Sequence, residues 1–218
     1  TLFGIWGSSP NDIWIVSTPT LLIHGTGFEN GMATWEEHTP VETAAWQTVN
    51  GRLMRAVWGT SAADVWIGGE PIPYYEENMV VVNQWRKRTA DDGPSWRRTF
   101  RTSVTIRGIW GSSASDVWIV GRDTALPSEN GKAFHTDGVA DEDGVLEWTE
   151  VDAQSTAELE AVWGSSAGDV WTVGGRGTIR HFTAGASKWE TVTSPTAQHL
   201  HGVWGSGSKD VWAVGDAG

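Results

Sequence analysis

The 218-residue sequence lacks cysteine altogether, and it contains only two tyrosines and three methionines. Without cysteine, the chain has no disulfide framework and no metal site built on thiolates. Long apolar runs are also missing: none approaches the roughly 18 residues of a membrane-spanning helix, so we expect no transmembrane segment. Basic side chains are scarce, with 15 Lys and Arg against 27 Asp and Glu, which gives a net charge of -12. This charge argues against a nucleic-acid partner, because nucleic acids select basic surfaces.

Tryptophan, by contrast, occurs 16 times and marks an internal repeat. The segment from Gly4 to Trp14 reads GIWGSSPNDIW and returns four more times with few changes. In every copy a second tryptophan follows the leading one eight residues later, and successive copies start 52, 52, 53 and 41 residues apart. The leading tryptophans are Trp6, Trp58, Trp110, Trp163 and Trp204.

Two further aromatic positions complete the repeat. We align the third aromatic as Trp35, Trp85, Phe134 and Phe182, and the fourth as Trp46, Trp96, Trp148 and Trp189. The runs around the aromatics are rich in β-branched residues, and Gly, Ser, Asn, Asp and Pro separate them. Four short strands in a repeat of about 40–50 residues predict an all-β fold, a β-propeller of four-stranded antiparallel blades.

The repeat also predicts the organisation of the chain. We expect a single propeller region over 1–218, with four full repeats and half of a fifth. Because half a blade would expose an unpaired strand edge, we expect these repeats to be part of a larger ring. The alternative is that another copy or a partner covers the edges by association. The predicted blades span about 1–52, 53–104, 105–157 and 158–198, with a partial blade at 199–218.

The pattern Trp-Gly-Ser-Ser-x-x-Asp-Val-Trp-x-Val-Gly resembles the tryptophan-rich propeller repeat of secreted or surface-anchored bacterial proteins. It is distantly similar to sialidase-type and photosystem-assembly-factor-type propellers. The Ser-x-Asp-x-Gly-x-Thr-Trp hairpin of sialidases is absent, and so are the Gly-His and Trp-Asp pairs of WD40 repeats. The resemblance implies an extracytoplasmic propeller, secreted, periplasmic or on the cell surface. It implies no particular activity, because propellers carry many unrelated functions.

Residues that recur in every copy are expected to serve the fold, whereas residues that vary between copies are candidates for function. We expect the recurrent tryptophans to pack between blades. An aspartate precedes the second strand of each copy, where its side chain is expected to close a turn by accepting backbone N–H groups. These aspartates are Asp12, Asp64, Asp116, Asp169 and Asp210.

The position three residues before each leading tryptophan varies, while the residue before it stays apolar. Strand alternation puts these two positions on opposite faces, and in propellers the first strand begins at the rim of the central channel. Two interpretations stay open: a ring of residues that contacts a ligand, or mutual salt bridges between rim charges. The ring residues are Arg55, Arg107, Glu160 and His201, and Phe3 holds this position in the first copy.

The connection between the second and third aromatics is longer in the first three copies than in the fourth. By family geometry this connection lies on the same top face as the start of the first strand, where loops carry binding residues. A simpler alternative is a longer hairpin with a type I′ Asn-Gly turn. The insertions are Thr18–Met32, Glu70–Val82 and Asp123–Lys132. The candidate binding residues are His24, Tyr74, Tyr75 and Glu76.

A basic island interrupts this acidic sequence in the second repeat. Strand alternation predicts that Arg97 and Arg101 share a face. The island is suited to docking an acidic protein, an anionic glycan or, peripherally, a membrane surface, and its ordinary alternative is a strand edge protected by charge. Its candidate residues are Arg86, Lys87, Arg88, Arg97, Arg98 and Arg101.

No catalytic motif is visible, so we expect no catalytic residue, no metal site and no cofactor, and we leave the question of enzymatic activity open. The leading hypothesis is a non-catalytic interaction scaffold in a larger extracytoplasmic or surface assembly. Such a scaffold would bind a protein partner through its variable top-face loops. The alternative is a lectin-like or glycan-processing propeller, with sugars stacked on exposed aromatics and a carboxylate pair for any hydrolysis.

Overall fold

The computed structural model describes residues 1–17, 21–38, 54–70, 80–86, 95–124, 130–140 and 145–217. These residues form β-strands and one short 3-10 turn, and none of them belongs to a helix that is long and apolar enough to cross a membrane. The chain divides into two compact units, Thr1–Thr102 and Ser103–Gly218.

The first unit contains two four-stranded antiparallel sheets, in which each strand pairs with the next one along the chain. Each sheet is one blade. The strands of the first blade are β1 (Leu2–Ser9), β2 (Asp12–Ser17), β3 (Leu21–Glu29) and β4 (Met32–His38). The strands of the second blade are β5 (Met54–Ser61), β6 (Asp64–Gly69), β7 (Val80–Arg86) and β8 (Ser95–Thr102).

The second unit contains two more blades of the same order and a two-stranded half-blade. A 3-10 turn at Gly175–Gly177 connects β14 to β15. The third blade has β9 (Thr105–Ser113), β10 (Asp116–Arg122), β11 (Gly131–Thr136) and β12 (Thr149–Glu150). The fourth has β13 (Leu159–Ser166), β14 (Asp169–Gly174), β15 (Thr178–Thr183) and β16 (Glu190–Thr191), and the half-blade has β17 (Leu200–Gly207) and β18 (Asp210–Gly215).

A matching apolar core joins the first two blades of each unit. The second-strand tryptophan of one blade meets a tryptophan from the fourth-strand region of the next: Trp14 with Trp96 at 5.5 Å between ring centres, and Trp118 with Trp189 at 5.0 Å. Both pairs are edge-to-face, a favoured aromatic geometry. The buried core residues are Trp14, Val16, Leu22, Met54, Val65, Ile67 and Trp96 in the first unit, and Trp118, Val120, Ala133, Ala153, Leu159, Val162, Val170 and Trp189 in the second.

A leading tryptophan packs against a glycine of the following blade at three places. A Cβ built on Gly164 would lie 2.5 Å from the ring of Trp110, and one on Gly205 would lie 2.7 Å from the ring of Trp163. Gly59 has the same relation to Trp6, at 2.8 Å. In these three blades the Gly that follows the leading tryptophan is therefore required by the close approach of the preceding blade.

The outward face of the half-blade is exposed. Trp204 of β17 is 61% exposed and Trp212 of β18 is 65% exposed, whereas Trp118, the third-blade residue that corresponds to Trp212, is fully buried. The same sequence positions thus lie in a core in one blade and on the surface in another, because burial depends on whether a further blade covers them.

Two of the four residues that the sequence alignment assigns to the third aromatic position do not occupy it. Trp85 and Phe182 do occupy one structural position, opposite Val65 and Val170 of the neighbouring strand. Trp35, however, lies on the fourth strand, where its ring covers Gly25. Phe134 lies on the third strand but is opposite Ile119, two residues further along. Trp46 lies outside the described residues.

The expected insertion at Thr18–Met32 is mostly strand. Nine of its residues form β3, and Asn30 and Gly31 make the turn into β4 with φ angles of 52° and 80°. Two successive positive φ angles are the mark of a type I′ hairpin turn, which favours Asn-Gly. The hairpin alternative is therefore correct here, and the turn lies between the third and fourth strands rather than between the second and third.

We predict that Gly164→Ala destabilises the protein by about 1–3 kcal/mol, the usual cost of forcing an extra group into a packed interface. The added methyl would collide with the Trp110 ring and with the carbonyl oxygen of Asp169. Gly207→Ala is the matched control, because its Cβ would meet no atom within 4 Å. Urea unfolding followed by tryptophan fluorescence measures both, and equal stability of the two variants would contradict the packing described here.

Candidate functional site

An aspartate at the start of the second strand holds three strands of a blade together. In the fourth blade the hydroxyl of Ser165 on β13 donates to Oδ2 of Asp169. Nε2 of His181 on β15 lies 2.6 Å from Oδ1, and Nε1 of Trp171 donates to the same oxygen at 3.2 Å. The His181 ring also stacks on Trp171, with 3.9 Å between ring centres and 16° between planes.

This network recurs from blade to blade. In the first blade Asp12 accepts from Ser8, Trp14 and His24, and in the third blade Asp116 accepts from Ser112 and His135, with 2.6 Å to each histidine. In the second blade Thr60 and Gln84 replace the serine and histidine, at 2.6 and 2.5 Å from Asp64. In the half-blade Asp210 accepts from Ser206 and Trp212.

Hydrogen bonding sets the charge of these aspartates. Burial acts to raise the pKa of Asp12, Asp116 and Asp169, but the bonds from the serine and histidine outweigh it, so each pKa lies below its ordinary value. The carboxylates are therefore ionised near neutral pH and only accept hydrogen bonds. The histidine Nε2 atoms must accordingly carry the protons that they share with the aspartates.

Serine, histidine and aspartate occur together here, but their arrangement excludes nucleophilic catalysis by these groups. An activated serine donates its proton to a histidine, which the aspartate orients from the far side. In these blades the serine and the histidine both donate to the aspartate, so no base faces the hydroxyl. The network therefore supports the blade, as expected for a recurrent aspartate, although its bonds are to side chains more than to the backbone.

The aromatic alignment did not identify the histidines as one repeat position, because its third aromatic does not occupy a single structural position. His24, His135 and His181 all lie opposite the second-strand tryptophan, as does Gln84. The sequence signal that identifies these residues is one polar position common to the third strands, rather than one aromatic position.

At the upper edge of a blade, where its first strand begins, the variable residues of the first unit contact one another. The guanidinium of Arg55 on β5 lies 4.5 Å above the ring of Phe3 on β1. Its Nε donates to Glu70 at 2.8 Å, and its Nη2 makes a second contact with the same carboxylate. Arg55 is therefore engaged by a cation–π contact and a two-point ion pair.

In the second unit two of the predicted ring residues pair directly. Arg107 donates to Glu160 and to Glu158, at 3.1 Å each, and all three side chains are less than 20% exposed. His201 is more exposed, and its Nε2 lies 2.9 Å from a carboxylate oxygen of Asp216, the residue that follows β18. The upper edge thus contains the mutual salt bridges of the simpler interpretation, and whether it also contacts a ligand stays a prediction.

The other loop candidates have different outcomes. His24 lies inside β3, bonded to Asp12, rather than in a top-face loop. Tyr74, Tyr75 and Glu76 lie outside the described residues. Beside the third insertion, at the upper edge of the third blade, there is a cavity of about 300 Å³. Its lining residues are Asn130, Gly131, Lys132, Glu150, Asp152, Ala153 and Ser155.

The basic island lies on β7 and β8, as far as it is described. Arg86 ends β7, whereas Lys87 and Arg88 lie outside the described residues. A β-bulge at Val82/Asn83 shifts the register, so that Arg97 is opposite Gln84 and Arg101 is opposite Val81. Positions 81 and 84 are three residues apart along β7, so the register puts Arg97 and Arg101 on opposite faces, and the prediction that they share a face is wrong. Arg98 also lies on β8, and its place in a docking surface stays a prediction.

Within the described part of the chain, one group of potential metal ligands comes together on the first blade. The ligand atoms of His24, Glu36 and His38 all lie within 4.8 Å of one another. His38 and His24 both contact Trp14, at 4.8 and 4.1 Å between ring centres. Burial is the main cause that lowers the pKa of His38, which favours the neutral ring.

Comparison with solved structures shows that the fold of this chain is similar to that of a known protein. YCF48 from Cyanidioschyzon merolae superposes with a TM-score of 0.62 at 14% sequence identity, over 98% of this chain. The chain spans 64% of the length of that protein. A structure described as YCF48 bound to D1 peptide matches with a TM-score of 0.35 and 14% identity, over 99% of this chain and 88% of the other. No protein-family model matches the sequence, and neither does any curated protein sequence.

The fold is a β-propeller. The superposition with YCF48 from C. merolae and the four-stranded antiparallel sheets confirm the predicted fold class, with four full blades and half of a fifth. They confirm the predicted distant relation to known propellers as a relation of architecture. Membership of the tryptophan-rich bacterial repeat family stays a prediction.

We predict that Asp169→Asn weakens the dependence of stability on acid pH. The pKa of Asp169 is lower in the folded chain than its ordinary value of 3.8, so the unfolded chain takes up the proton first as the pH falls. The resulting stabilisation is complete above pH 3.8 and is lost as the pH falls through the folded pKa. Asp169→Asn lacks this loss of stability at acid pH, and it is less stable than the wild type by about 1–3 kcal/mol at pH 7.

Urea unfolding at a series of pH values between 7 and about 2.5 measures this effect. Asp137→Asn is the control, because Asp137 is exposed and accepts a turn bond from the backbone of Val139. If Asp169→Asn and the wild type lose stability in parallel as the pH falls, the role assigned to the carboxylate is refuted.

Proposed function

We propose that the chain is a non-catalytic interaction scaffold, a module of a larger extracytoplasmic or surface assembly, that binds a protein partner at the upper edge of its blades. The observation that carries the proposal is the cavity at the upper edge of the third blade. It lies beside a connection whose length varies between repeats, which is where a repeat scaffold carries its specific contacts.

The size of the cavity favours a peptide side chain over a larger ligand. Cavities for small molecules and cofactors range from about 300 to 1,000 Å³, and this cavity is at the lower limit. A long side chain of a docked protein fits such a volume, whereas a nucleotide or an oligosaccharide needs more.

The charges of the cavity favour a basic segment. Its lining contains one cation, Lys132, and two carboxylates, Glu150 and Asp152. Lys132 is paired with Glu150 at 2.6 Å, and this hydrogen bond is the main cause that raises the lysine pKa. The second carboxylate leaves the lining with a net negative charge, in an acidic protein, so a lysine or arginine of the partner is the complementary group.

Backbone hydrogen bonds hold both walls of the site, and groups that are already held in place have less freedom to lose on binding. The amide of Asp123 donates to the carbonyl of Asn130 at 3.0 Å and closes the connection between β10 and β11. On the other wall the backbone of Gln154 donates to Asp152 at 2.9 Å.

The non-catalytic part of the proposal is supported by how the reactive side chains are used. The serines and histidines of the blades converge on aspartates instead of on each other. Glu158 and Glu160, a carboxylate pair at the upper edge, both bind Arg107, which occupies the place that a substrate would need between them. The extracytoplasmic location rests on the resemblance of the repeat to secreted and surface proteins.

Selection of random peptides on the immobilised chain tests the proposal. We expect the enriched peptides to carry Lys or Arg, and to bind a Glu150→Gln/Asp152→Asn variant about tenfold more weakly, because two exposed charge contacts are worth roughly 1–2 kcal/mol together. Glu190→Gln is the control, since it removes an exposed carboxylate of the fourth blade that does not line the cavity.

Two outcomes would refute this function. One is enrichment of peptides that bind all three proteins equally, or no enrichment at all. The other is saturable binding on a glycan array, which would select the lectin-like alternative.

A further inference from the structure

We propose that the first blade carries a binding site for a divalent transition metal of the zinc type, with His24, Glu36 and His38 as ligands. This site lies within the first unit and is independent of the proposed partner surface. Two imidazoles and one carboxylate are a ligand set that zinc accepts, with a fourth position left for water or a further donor.

Strand register brings the three ligands together. His24 on β3 is directly opposite Glu36 on β4, and Leu22, two residues before His24, is opposite His38. Directly opposed residues share a face of the sheet, and so do residues two apart on one strand. The three side chains therefore project from one face of the blade because of the backbone pairing, and not because of a loop conformation.

The distances are close to those of a tetrahedral site. Two imidazoles bound to one tetrahedral zinc have ring centres roughly 5 Å apart, and the His24 and His38 rings are 5.6 Å apart. The ligand atoms lie within 4.8 Å of one another, against roughly 3.4 Å around zinc. Small changes in side-chain torsion close this difference, most easily at Glu36, which is 64% exposed.

Asp12 and Trp14 position the first histidine. Nε2 of His24 is bonded to Asp12 at 2.6 Å, so its Nδ1 is the nitrogen that a metal takes. A histidine ligand held from behind by a carboxylate is the usual arrangement in zinc sites, since the carboxylate orients the ring and makes it a better donor. Trp14 lies flat against the same ring, with only 10° between the planes.

The other blades provide an internal comparison. The fourth blade repeats the arrangement, with His181 opposite Glu190 and bonded to Asp169, but Val192 occupies the place of His38. The third blade has His135 opposite Thr149 and therefore lacks the carboxylate as well. The blade network alone explains a histidine at the His24 position, but it does not explain His38, which replaces an apolar residue.

The experiment measures zinc binding by equilibrium dialysis and cobalt binding by visible absorption, on metal-free protein. The background is a His199→Ala/His201→Ala variant, which removes a second histidine pair whose rings are 6.3 Å apart on the last blade. We expect one zinc per chain in this background and a tetrahedral cobalt spectrum. We expect His38→Val to lose the site, and Asp12→Asn to bind 10- to 100-fold more weakly through the loss of ring orientation.

The reciprocal variant is Val192→His, which completes the same four positions in the fourth blade. We expect this variant to bind two zinc ions per chain. This result does not depend on how well His38→Val folds. The proposal is overturned if the background protein binds no zinc, if folded His38→Val binds as much as the background protein, or if Val192→His adds no second metal.

Discussion

The rest of the structure depends on the carboxylate that begins the second strand of each blade. A buried carboxylate is tolerated only when hydrogen-bond donors replace its lost water. Here the donors come from different strands: a serine or threonine from the first, a tryptophan from the second and a histidine or glutamine from the third. Satisfying one charge therefore fixes the relative position of three strands.

The carboxylate also connects hydrogen bonding within a blade to packing between blades. The histidine that binds Asp116 lies against Trp118, and the same tryptophan contacts Phe182 and Trp189 of the next blade. Burial of one tryptophan removes 150–250 Å² from water, which is worth up to roughly 4–6 kcal/mol. This packing is a large source of stability, and the polar network contacts the same rings through the histidines.

The sequence was sufficient for the architecture because the features that specify it are local. The spacing of two tryptophans within a repeat, with an aspartate between them, is independent of loop length, so the propeller fold could be predicted. The partners of the aspartate could not, because the third-strand residue follows it by 12 residues in the first and fourth blades, by 19 in the third and by 20 in the second. The same variation in loop length misplaced Trp35, which belongs to the fourth strand.

The residues at the edges of the blades were partly predictable. Variation between copies singled out Arg55, Arg107 and Glu160, but their pairing depends on neighbours such as Glu70 and Glu158 that no repeat position identifies. The side-by-side arrangement of His24, Glu36 and His38 requires the register of β3 and β4, which a shift of a single residue would change. The residues that distinguish one blade from another are therefore identified by register and neighbours, whereas the repeated residues are committed to the fold.

The protonation state of the blade histidines tests this account most directly. Long-range 1H–15N NMR of the imidazoles, on metal-free protein near neutral pH, distinguishes a proton on Nε2 from one on Nδ1. We predict that His24, His135 and His181 each hold a proton on Nε2, because each shares it with an ionised aspartate. A proton on Nδ1 alone, with a bare Nε2, in these three residues would contradict the account.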